Sequence, residues 1–233
     1  MTGWRVLPLE VAEAEGLLDR GLALLEELAA DAVPTLRWYM TSRPAVVLGR
    51  GQRPAAAAAA MGVDVVTRFS GGGAVLLDED VLSLDVLLPT GHPLLDGDLG
   101  AVFLRVGQSW ARALRGLGAA DVTVWSGPST ARRLGSGRER QLAAVCYATV
   151  GRGEVLAGGR KVVGLAQRRR RQGALVQCGL LYRWRPALLL ETLGFDPSDP
   201  DIARHAVGLD ELLGYRPDPA YVMRAVEKEL ISA

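Results

Sequence analysis

The stretch Arg68-Phe69-Ser70-Gly71-Gly72-Gly73-Ala74-Val75 joins two apolar segments, residues 63–69 and 74–77, that the sequence predicts to be strands. Three consecutive glycines permit positive φ angles and let a ligand lie against the backbone, where N–H groups can face an anion or a carbonyl. Arg68 would add a cation beside such a ligand. The stretch has no GK[ST] and opens no helix, so it fits neither a P-loop nor a dinucleotide fingerprint. Taken alone, it is equally typical of a wide hairpin loop.

A second informative segment is Gly159-Arg160-Lys161-Val162-Val163-Gly164-Leu165-Ala166-Gln167. A lysine that starts an apolar strand after a glycine turn can direct its ammonium group into a pocket. There it would stabilise a developing oxyanion or a phosphate. A lone lysine more often lies at the surface with only its aliphatic stem buried.

The two cysteines each allow two interpretations. Cys146 lies in the apolar run Leu142-Ala143-Ala144-Val145-Cys146-Tyr147, which favours a buried strand and a structural thiol. The functional alternative is a thiolate that forms an acyl thioester, activated by a nearby cation such as Lys161. Cys178 allows the same two interpretations, with less to favour function.

Composition limits the classes of function. The 233 residues include 27 basic and 26 acidic ones, a formal charge of +1, which argues against a general nucleic-acid binder. Two cysteines and two histidines make neither a disulfide framework nor a zinc site, so no metal site is predicted. No signal-peptide core and no run of about 18 apolar residues is present. We therefore expect a cytoplasmic protein with no membrane partner.

The predicted elements alternate without a strict βαβ order, which favours a mixed sheet flanked by helices in one domain spanning residues 1–233. Helices are predicted at residues 10–30, 55–60, 102–117, 186–193, 210–213 and 219–231. Residues 126–140 are rich in Gly, Ser and Arg and are predicted to form a mobile loop. Strands are predicted at residues 36–40, 45–49, 63–69, 74–77, 81–88, 122–125, 142–149, 154–157, 161–167 and 174–181.

Four consecutive arginines, residues 168–171, follow the lysine strand. Such a run at a strand end is most often a solvated edge, where charge also discourages edge pairing. The functional alternative is a docking site for an acidic partner or for an adenylate phosphate.

Together these segments resemble the lipoate-protein ligase and octanoyltransferase family over roughly residues 20–190. Val46-Val47-Leu48-Gly49-Arg50-Gly51-Gln52 is similar to the family's apolar strand ending in G-R-x-Q. Arg68 with residues 70–75 is similar to its R-x-S-G-G-G-A-V loop. Residues 159–167, followed by two arginines, are similar to its G-[RK]-K-[IV]-x-G-x-A-Q-R-R strand, with Lys161 as the essential lysine.

The resemblance implies an α+β, two-layer fold with a mixed, largely antiparallel sheet flanked by helices, the biotin/lipoate ligase (class II synthetase-like) fold. It implies that Lys161 polarises the reactive carbonyl and that Cys146 is catalytic only if the reaction runs through a thioester. The residues it implies for binding the substrate or adenylate are Arg50, Arg68, Ser70, Gly71, Gly72, Gly73, Ala74, Val75, Gly164, Ala166 and Gln167.

Two branches of the family differ in their acyl donor. Ligases use ATP and Mg²⁺ to convert lipoate or octanoate into an acyl-adenylate, and the third glycine that is typical of them is matched by Gly73. The acceptor would be a lysine of a lipoyl domain of a 2-oxoacid dehydrogenase or of the glycine-cleavage H protein. This ligase is the first expectation. We expect no separate C-terminal accessory domain of the kind many ligases carry, so a ligase here would either need a separate accessory chain or be incomplete.

The second branch takes octanoyl from acyl carrier protein through a cysteine thioester. Some of its members carry that cysteine fifteen residues before the essential lysine, the separation between Cys146 and Lys161, and they tend to have arginine in place of Gly73. The ligase pattern after the loop is also altered, with Leu77, Ser83 and Cys178 at positions where other residues are usual. These departures motivate a third hypothesis, a non-catalytic protein that binds lipoyl or related acyl groups.

Overall fold

The computed structural model describes residues 3–29, 32–54, 62–131 and 137–233. The helix predicted at residues 55–60 and residues 132–136 of the predicted mobile loop lie outside these ranges. Two sheets form the framework: a seven-stranded sheet in the order β1-β2-β6-β10-β9-β8-β7 and a three-stranded sheet in the order β4-β3-β5. The strands are β1 (Arg5–Ala12), β2 (Thr35–Thr41), β3 (Ala45–Leu48), β4 (Asp64–Thr67), β5 (Val75–Leu77), β6 (Val81–Pro89), β7 (Val122–Val124), β8 (Val155–Ala157), β9 (Arg160–Arg170) and β10 (Gly173–Leu181).

The helices at Gly137–Ala144 and Pro200–Ala203 are not predicted from the sequence, and the first helix is shorter than the predicted residues 10–30. None of the helices in the described ranges is long and apolar enough to cross a membrane. They are α1 (Ala14–Glu26), α2 (Ala101–Gly116), α3 (Gly137–Ala144), α4 (Ala187–Thr192), α5 (Pro200–Ala203), α6 (Leu209–Leu213) and α7 (Pro219–Ile231), with short 3₁₀ helices at Pro93–Leu95 and Cys146–Ala148.

Both sheets are mixed, and most neighbouring strands are antiparallel. In the large sheet β1 runs parallel to β2, and every other neighbouring pair is antiparallel. In the small sheet β3 is parallel to β4 and antiparallel to β5. The mixed, largely antiparallel sheet expected from the sequence is therefore confirmed.

One face of the large sheet packs against α2 and α7 and forms the main core. Apolar residues alternate along β2 and β6, so that Trp38 and Leu84 point toward these helices and are fully buried. Trp110 of α2 lies edge-on to Trp38, with ring centroids 5.8 Å apart. One face of the large sheet is therefore buried in the core, and the opposite face lines the site.

The opposite face carries polar residues under α1 and the small sheet. The strand register places Arg37 opposite Asp85 and Tyr39 opposite Ser83. Arg37 is 1% exposed, lies 2.7 Å from Asp85 Oδ2 and donates to the carbonyl of Leu17 in α1. A buried ion pair with further hydrogen bonds therefore ties α1 to the sheet.

Three predictions of local structure are wrong. Residues 137–140, predicted to lie in a mobile loop, form the start of α3. Residues 142–149 form no strand, because Ala144 ends α3 and Cys146 begins a 3₁₀ helix. Between these helices the chain makes one bridge, in which Ala74 N–H donates to Ala144 O and Cys146 N–H donates to Ala74 O. Residues 10–12, predicted to be helical, belong to β1, since pairing with β2 outweighs the helical spacing of their side chains.

Candidate active site

A cavity of about 330 Å³ lies between the glycine loop, residues 68–75, and the polar face of the large sheet. Most of the predicted site residues line it, from three separate segments of the chain. Arg50 and Ala74 are the two predicted residues absent from its described wall. The predicted residues that line it are Arg68, Ser70, Gly71, Gly72, Gly73, Val75, Cys146, Lys161, Gly164, Ala166 and Gln167.

Close backbone contacts fix the glycine loop. A Cβ atom at Gly49 would lie 2.0 Å from Gly72 O, and Gly72 itself has a φ of +95°. Both positions therefore require glycine. Arg68 Nη2 donates to the carbonyls of Gly71 and Gly73 at 3.0 and 2.9 Å, so part of the guanidinium holds the loop itself.

Gly73 is the point at which the loop meets the Cys146 segment. A Cβ atom at Gly73 would lie 2.7 Å from both Cys146 N and Val145 C, distances that real Cβ atoms do not adopt. The next residue, Ala74, exchanges two hydrogen bonds with this segment. A glycine at position 73 thus lets the loop approach the cysteine backbone, whatever the acyl donor is.

The glutamine of the G-R-x-Q motif, Gln52, helps to hold the glycine loop against the Cys146 segment. Gln52 Oε1 accepts from Gly49 N–H, and Gln52 Nε2 donates to Ala144 O, both at 2.9 Å. Arg50 contributes its backbone N–H, which donates to Ser70 O, while its side chain is exposed. The motif therefore joins β3, the glycine loop and the Cys146 segment.

Lys161 is 1% exposed, and its ammonium group lies inside the protein. Its Nζ lies 2.9 Å from Cys146 O, 3.2 Å from Thr149 O and 2.7 Å from Glu154 Oε2. An ammonium group has three N–H donors, and these three acceptors use all of them. A bound carbonyl would have to replace one of these oxygens, and Thr149 O is the most distant of the three.

Glu154 provides the counter-charge for Lys161. It is 5% exposed, its Oε2 accepts from Gly151 N–H at 2.7 Å, and its Oε1 accepts from Leu165 N–H at 3.0 Å. Sequence analysis missed this residue. A usable signal was present, because the hairpin turn at residues 158–159 brings the start of β8 beside β9.

Cys146 lies in the cavity wall with its thiol beside the lysine. Its Sγ is 3.8 Å from Lys161 Nζ, and the side chain is half-buried. Cys146 therefore places a sulfur nucleophile beside a cation in the cavity wall. Cys178 differs, because burial raises the pKa of its thiol to about 12.

Tyr147, which was also not predicted from the sequence, lines the cavity next to Lys161. Its hydroxyl donates to Gly179 O at 2.6 Å, and its ring centroid lies 5.0 Å from Lys161 Nζ. A Cβ atom at Gly179 would lie 2.8 Å from this hydroxyl, so the glycine makes room for the ring. Burial raises the pKa of Tyr147 well above its ordinary value, so it stays a neutral donor.

The rest of the cavity is apolar on one side and polar on the other. Three of the altered positions of the ligase pattern, Leu77, Ser83 and Cys178, lie in the wall. The apolar wall is formed by Leu18, Val47, Val75, Leu77 and Val81, and the polar wall includes Tyr39, Ser83 and Gln177. This lining suits a medium-length acyl chain held between the two sheets.

The lipoyl protein ligase A/B catalytic domain family matches residues 18–231, and the chain belongs to this family. Octanoyltransferase LipM of Moorella thermoacetica is 32% identical over 234 residues, an alignment that covers 91% of this chain and 80% of that protein. Octanoyltransferase LipM of Kyrpidia tusciae is also 32% identical, with 92% and 81% covered. The chain is therefore an enzyme of the ligase or octanoyltransferase kind, which leaves the non-catalytic hypothesis without support.

Solved structures share the fold at lower identity. A lipoate-protein ligase A bound with ATP has a TM-score of 0.75 at 18% identity, covering 100% of this chain and 85% of that one. The bipartite lipoate protein ligase of Thermoplasma acidophilum has a TM-score of 0.75 at 18% identity, with 100% and 83% covered. The biotin protein ligase of Aquifex aeolicus gives 0.52 at 16% identity, with 98% and 69% covered. The fold is thus the biotin/lipoate ligase, class II synthetase-like fold.

Proposed function

We propose that the enzyme takes an octanoyl group from acyl carrier protein as a thioester on Cys146 and passes it to the lysine of a lipoyl domain. The observation that carries this proposal is the 3.8 Å separation of Cys146 Sγ from Lys161 Nζ in the wall of an apolar cavity. The similarity to two octanoyltransferases over about nine-tenths of the chain supports it.

In the first half-reaction, the Cys146 thiolate attacks the carbonyl carbon of the octanoyl thioester. A new C–S bond forms, the bond to the carrier's sulfur breaks, and the carrier leaves as a thiolate, which takes up the proton that the Cys146 thiol lost. The Lys161 ammonium stabilises the attacking thiolate and, if it exchanges Thr149 O for the substrate oxygen, also the oxyanion.

In the second half-reaction, the neutral amine of the acceptor lysine attacks the thioester carbon. An amide C–N bond forms, the C–S bond to Cys146 breaks, and the proton given up by the amine passes to the Cys146 sulfur, which regenerates the thiol beside Lys161. The acceptors proposed are the lipoyl domains of 2-oxoacid dehydrogenases and the glycine-cleavage H protein. The apolar wall would hold the chain while the donor leaves and the acceptor arrives.

The ATP-dependent ligase, the first expectation from the sequence, has less support. That expectation depended on Gly73, and the contact between Gly73 and the Cys146 backbone accounts for this glycine without an adenylate. The ATP-bound ligase of similar fold is 18% identical, which speaks to the fold alone. The glycine loop and Arg68 would be the adenylate-binding residues if ATP and Mg²⁺ were used.

Intact-mass measurement tests the proposal. The enzyme is incubated separately with octanoyl-carrier protein and with ATP, Mg²⁺ and lipoate. We expect an octanoyl adduct from the carrier protein, its loss in Cys146→Ala, and its transfer to an added lipoyl domain.

The matched control is Cys178→Ala, which removes a thiol that is 3% exposed and whose pKa is about 12. This variant should keep the adduct. Acylation of the lipoyl domain that requires ATP and releases AMP, with no adduct from the carrier, would contradict the proposal and assign the ligase reaction.

A further inference from the structure

The hairpin between β9 and β10 carries four arginines that pair with no acidic side chain of the described residues. Within the described ranges, none of them lies in an ion pair, whereas Arg138, Arg152 and Arg160 all do. Arg170 and Arg171 are exposed, and Arg168 and Arg169 are half-buried. We call these four residues, Arg168, Arg169, Arg170 and Arg171, the arginine rim.

The arginine rim lies where β9 leaves the cavity. Leu165, Ala166 and Gln167, the three residues that precede it, all line the cavity. The guanidinium of Arg168 stacks 5.5 Å above the ring of Phe69, which belongs to the glycine loop. The rim is therefore fixed against the same loop that faces Cys146 and Lys161.

Two further arginines extend the positive surface beyond the glycine loop. Arg50 and Arg53 follow β3, both are exposed, and neither forms an ion pair within the described residues. The backbone of Arg50 is bonded to Ser70, which places this segment beside the loop. Six unneutralised arginines beside one cavity are a strong local excess in a chain whose formal charge is +1.

Such a surface attracts a partner of opposite charge and raises its rate of association. A free fatty acid or its small thioester carries too little charge to need it. A protein with an acidic surface has the matching charge and size. The proposed reaction uses two protein substrates, the acyl carrier and the lipoyl domain.

We propose that the arginine rim docks the acidic carrier protein that delivers the octanoyl group. This inference rests on the proposed function. The donor has to lay its acyl chain along the cavity that β9 lines, directly before the rim, whereas the acceptor only has to bring its lysine to the thioester carbon. The body of the donor therefore rests where β9 leaves the cavity.

The test compares two donors in single-turnover acylation of Cys146. With octanoyl-carrier protein, the double charge reversal R170E/R171E should lower the second-order rate constant about 10- to 100-fold. With octanoyl-pantetheine, which has no protein surface, the rate constant should stay within about twofold. Added salt should slow the wild type with the carrier protein and affect the variant much less.

The matched control is R224E/K228E, which makes the same change of charge on α7. Both residues are exposed and unpaired within the described residues, and α7 packs with α2 on the opposite face of the large sheet. This variant should acylate at the wild-type rate with either donor.

Three outcomes would overturn the proposal. Equal slowing with both donors would mean that the arginines act on the cavity and not on docking. A slower transfer to the lipoyl domain, with donor acylation unchanged, would assign the rim to the acceptor. An unchanged carrier rate, with loss of binding to a DNA duplex, would assign it to nucleic acid. No Cys146 adduct from either donor in the wild type would instead refute the proposed function, and the docking proposal with it.

Discussion

The carboxylate of Glu154 lies 2.7 Å from the ammonium of Lys161, and the two side chains are 7% and 1% exposed. Two backbone N–H groups, from Gly151 and Leu165, hold the carboxylate in place. A buried pair of this kind is worth little as a source of stability, but removal of one partner leaves an uncompensated charge. The main effect of this ion pair is to position Lys161, because Glu154 keeps the lysine cation beside Cys146.

Glu154→Gln should therefore impair both stability and chemistry. An amide cannot neutralise the buried ammonium, so we expect the free energy of unfolding to fall by about 3 kcal/mol. Acylation of Cys146 should slow by about two orders of magnitude, since the cation would no longer be held beside the thiolate. Urea unfolding and single-turnover acylation measure the two effects.

Glu211→Gln is the matched control for this change. It breaks the ion pair between Glu211 and Arg160, the residue next to Lys161, but Glu211 is 61% exposed. Exposed pairs contribute about 0–1 kcal/mol, so stability and acylation should be nearly unchanged. If Glu154→Gln acylates as fast as the wild type, Glu154 does not position Lys161 for the reaction.

Gly73→Ala should separate the glycine loop from the Cys146 segment. The added Cβ would lie 2.7 Å from Cys146 N, so one backbone has to move. We expect a loss of about 1–3 kcal/mol in the free energy of unfolding, as for other overpacked sites. Acylation of Cys146 should slow at least tenfold, because a shift of this size misplaces the nucleophile.

Gly71→Ala distinguishes this contact from a general need for glycine in the loop. A Cβ at Gly71 would meet nothing within 4 Å, and its φ is not in the left-handed region. Its stability and acylation rate should remain close to those of the wild type. Equal losses in both variants would show that backbone freedom, and not contact with Cys146, explains the glycines.

The glycine loop and Lys161 could be located from the sequence because each is marked by a short run of consecutive residues. Three glycines between apolar segments interrupt two strands, and a lysine after a glycine turn starts a third. The structure places both in the wall of one cavity. Their chemical roles stay predictions.

Glu154 and Tyr147 could not be assigned in the same way, because their contacts are made across the sheet. Glu154 meets Lys161 only once β8 and β9 pair, and Tyr147 depends on the space left by Gly179 in β10. The helix before Cys146 was misjudged for a related reason. Apolar residues at 142–145 fit a buried strand. In the structure, however, the described part of this segment pairs with neighbouring backbone through one isolated β-bridge, at Ala74.

Gln52→Leu should weaken the attachment of the G-R-x-Q motif to the Cys146 segment. It leaves Gly49 N–H without its acceptor and removes one of the two donors to Ala144 O. Loss of two half-buried hydrogen bonds should lower the free energy of unfolding by about 1–3 kcal/mol and slow acylation of Cys146. Gln172→Leu, which removes one longer bond to Glu26 O at 3.4 Å, is the control and should change little. Equal effects of the two substitutions would refute a specific role for Gln52.

Asp85 lies fully buried behind the polar wall, and its ionisation should make stability depend on pH. Burial raises the pKa of this carboxyl from 3.8 to about 6, although Arg37 and Gln177 oppose the shift. Between these two values the folded state binds more protons at Asp85 than the unfolded state does. The free energy of unfolding should therefore fall as the pH rises from about 4, through the folded-state pKa, to about 7, and change little above that from this group.

Comparison of the wild type with Asp85→Asn isolates this effect. Asparagine does not titrate, so the advantage of the wild type should shrink by up to about 3 kcal/mol between pH 4 and pH 7. Asp199 and Asp201, whose pKa values are lowered by hydrogen bonds from Arg138, act in the opposite direction, but they are present in both proteins and cancel. Urea unfolding at pH 4, 5, 6 and 7 gives the difference at each pH. A constant difference would mean that Asp85 has the same pKa in both states, and that Arg37 fully offsets the effect of its burial.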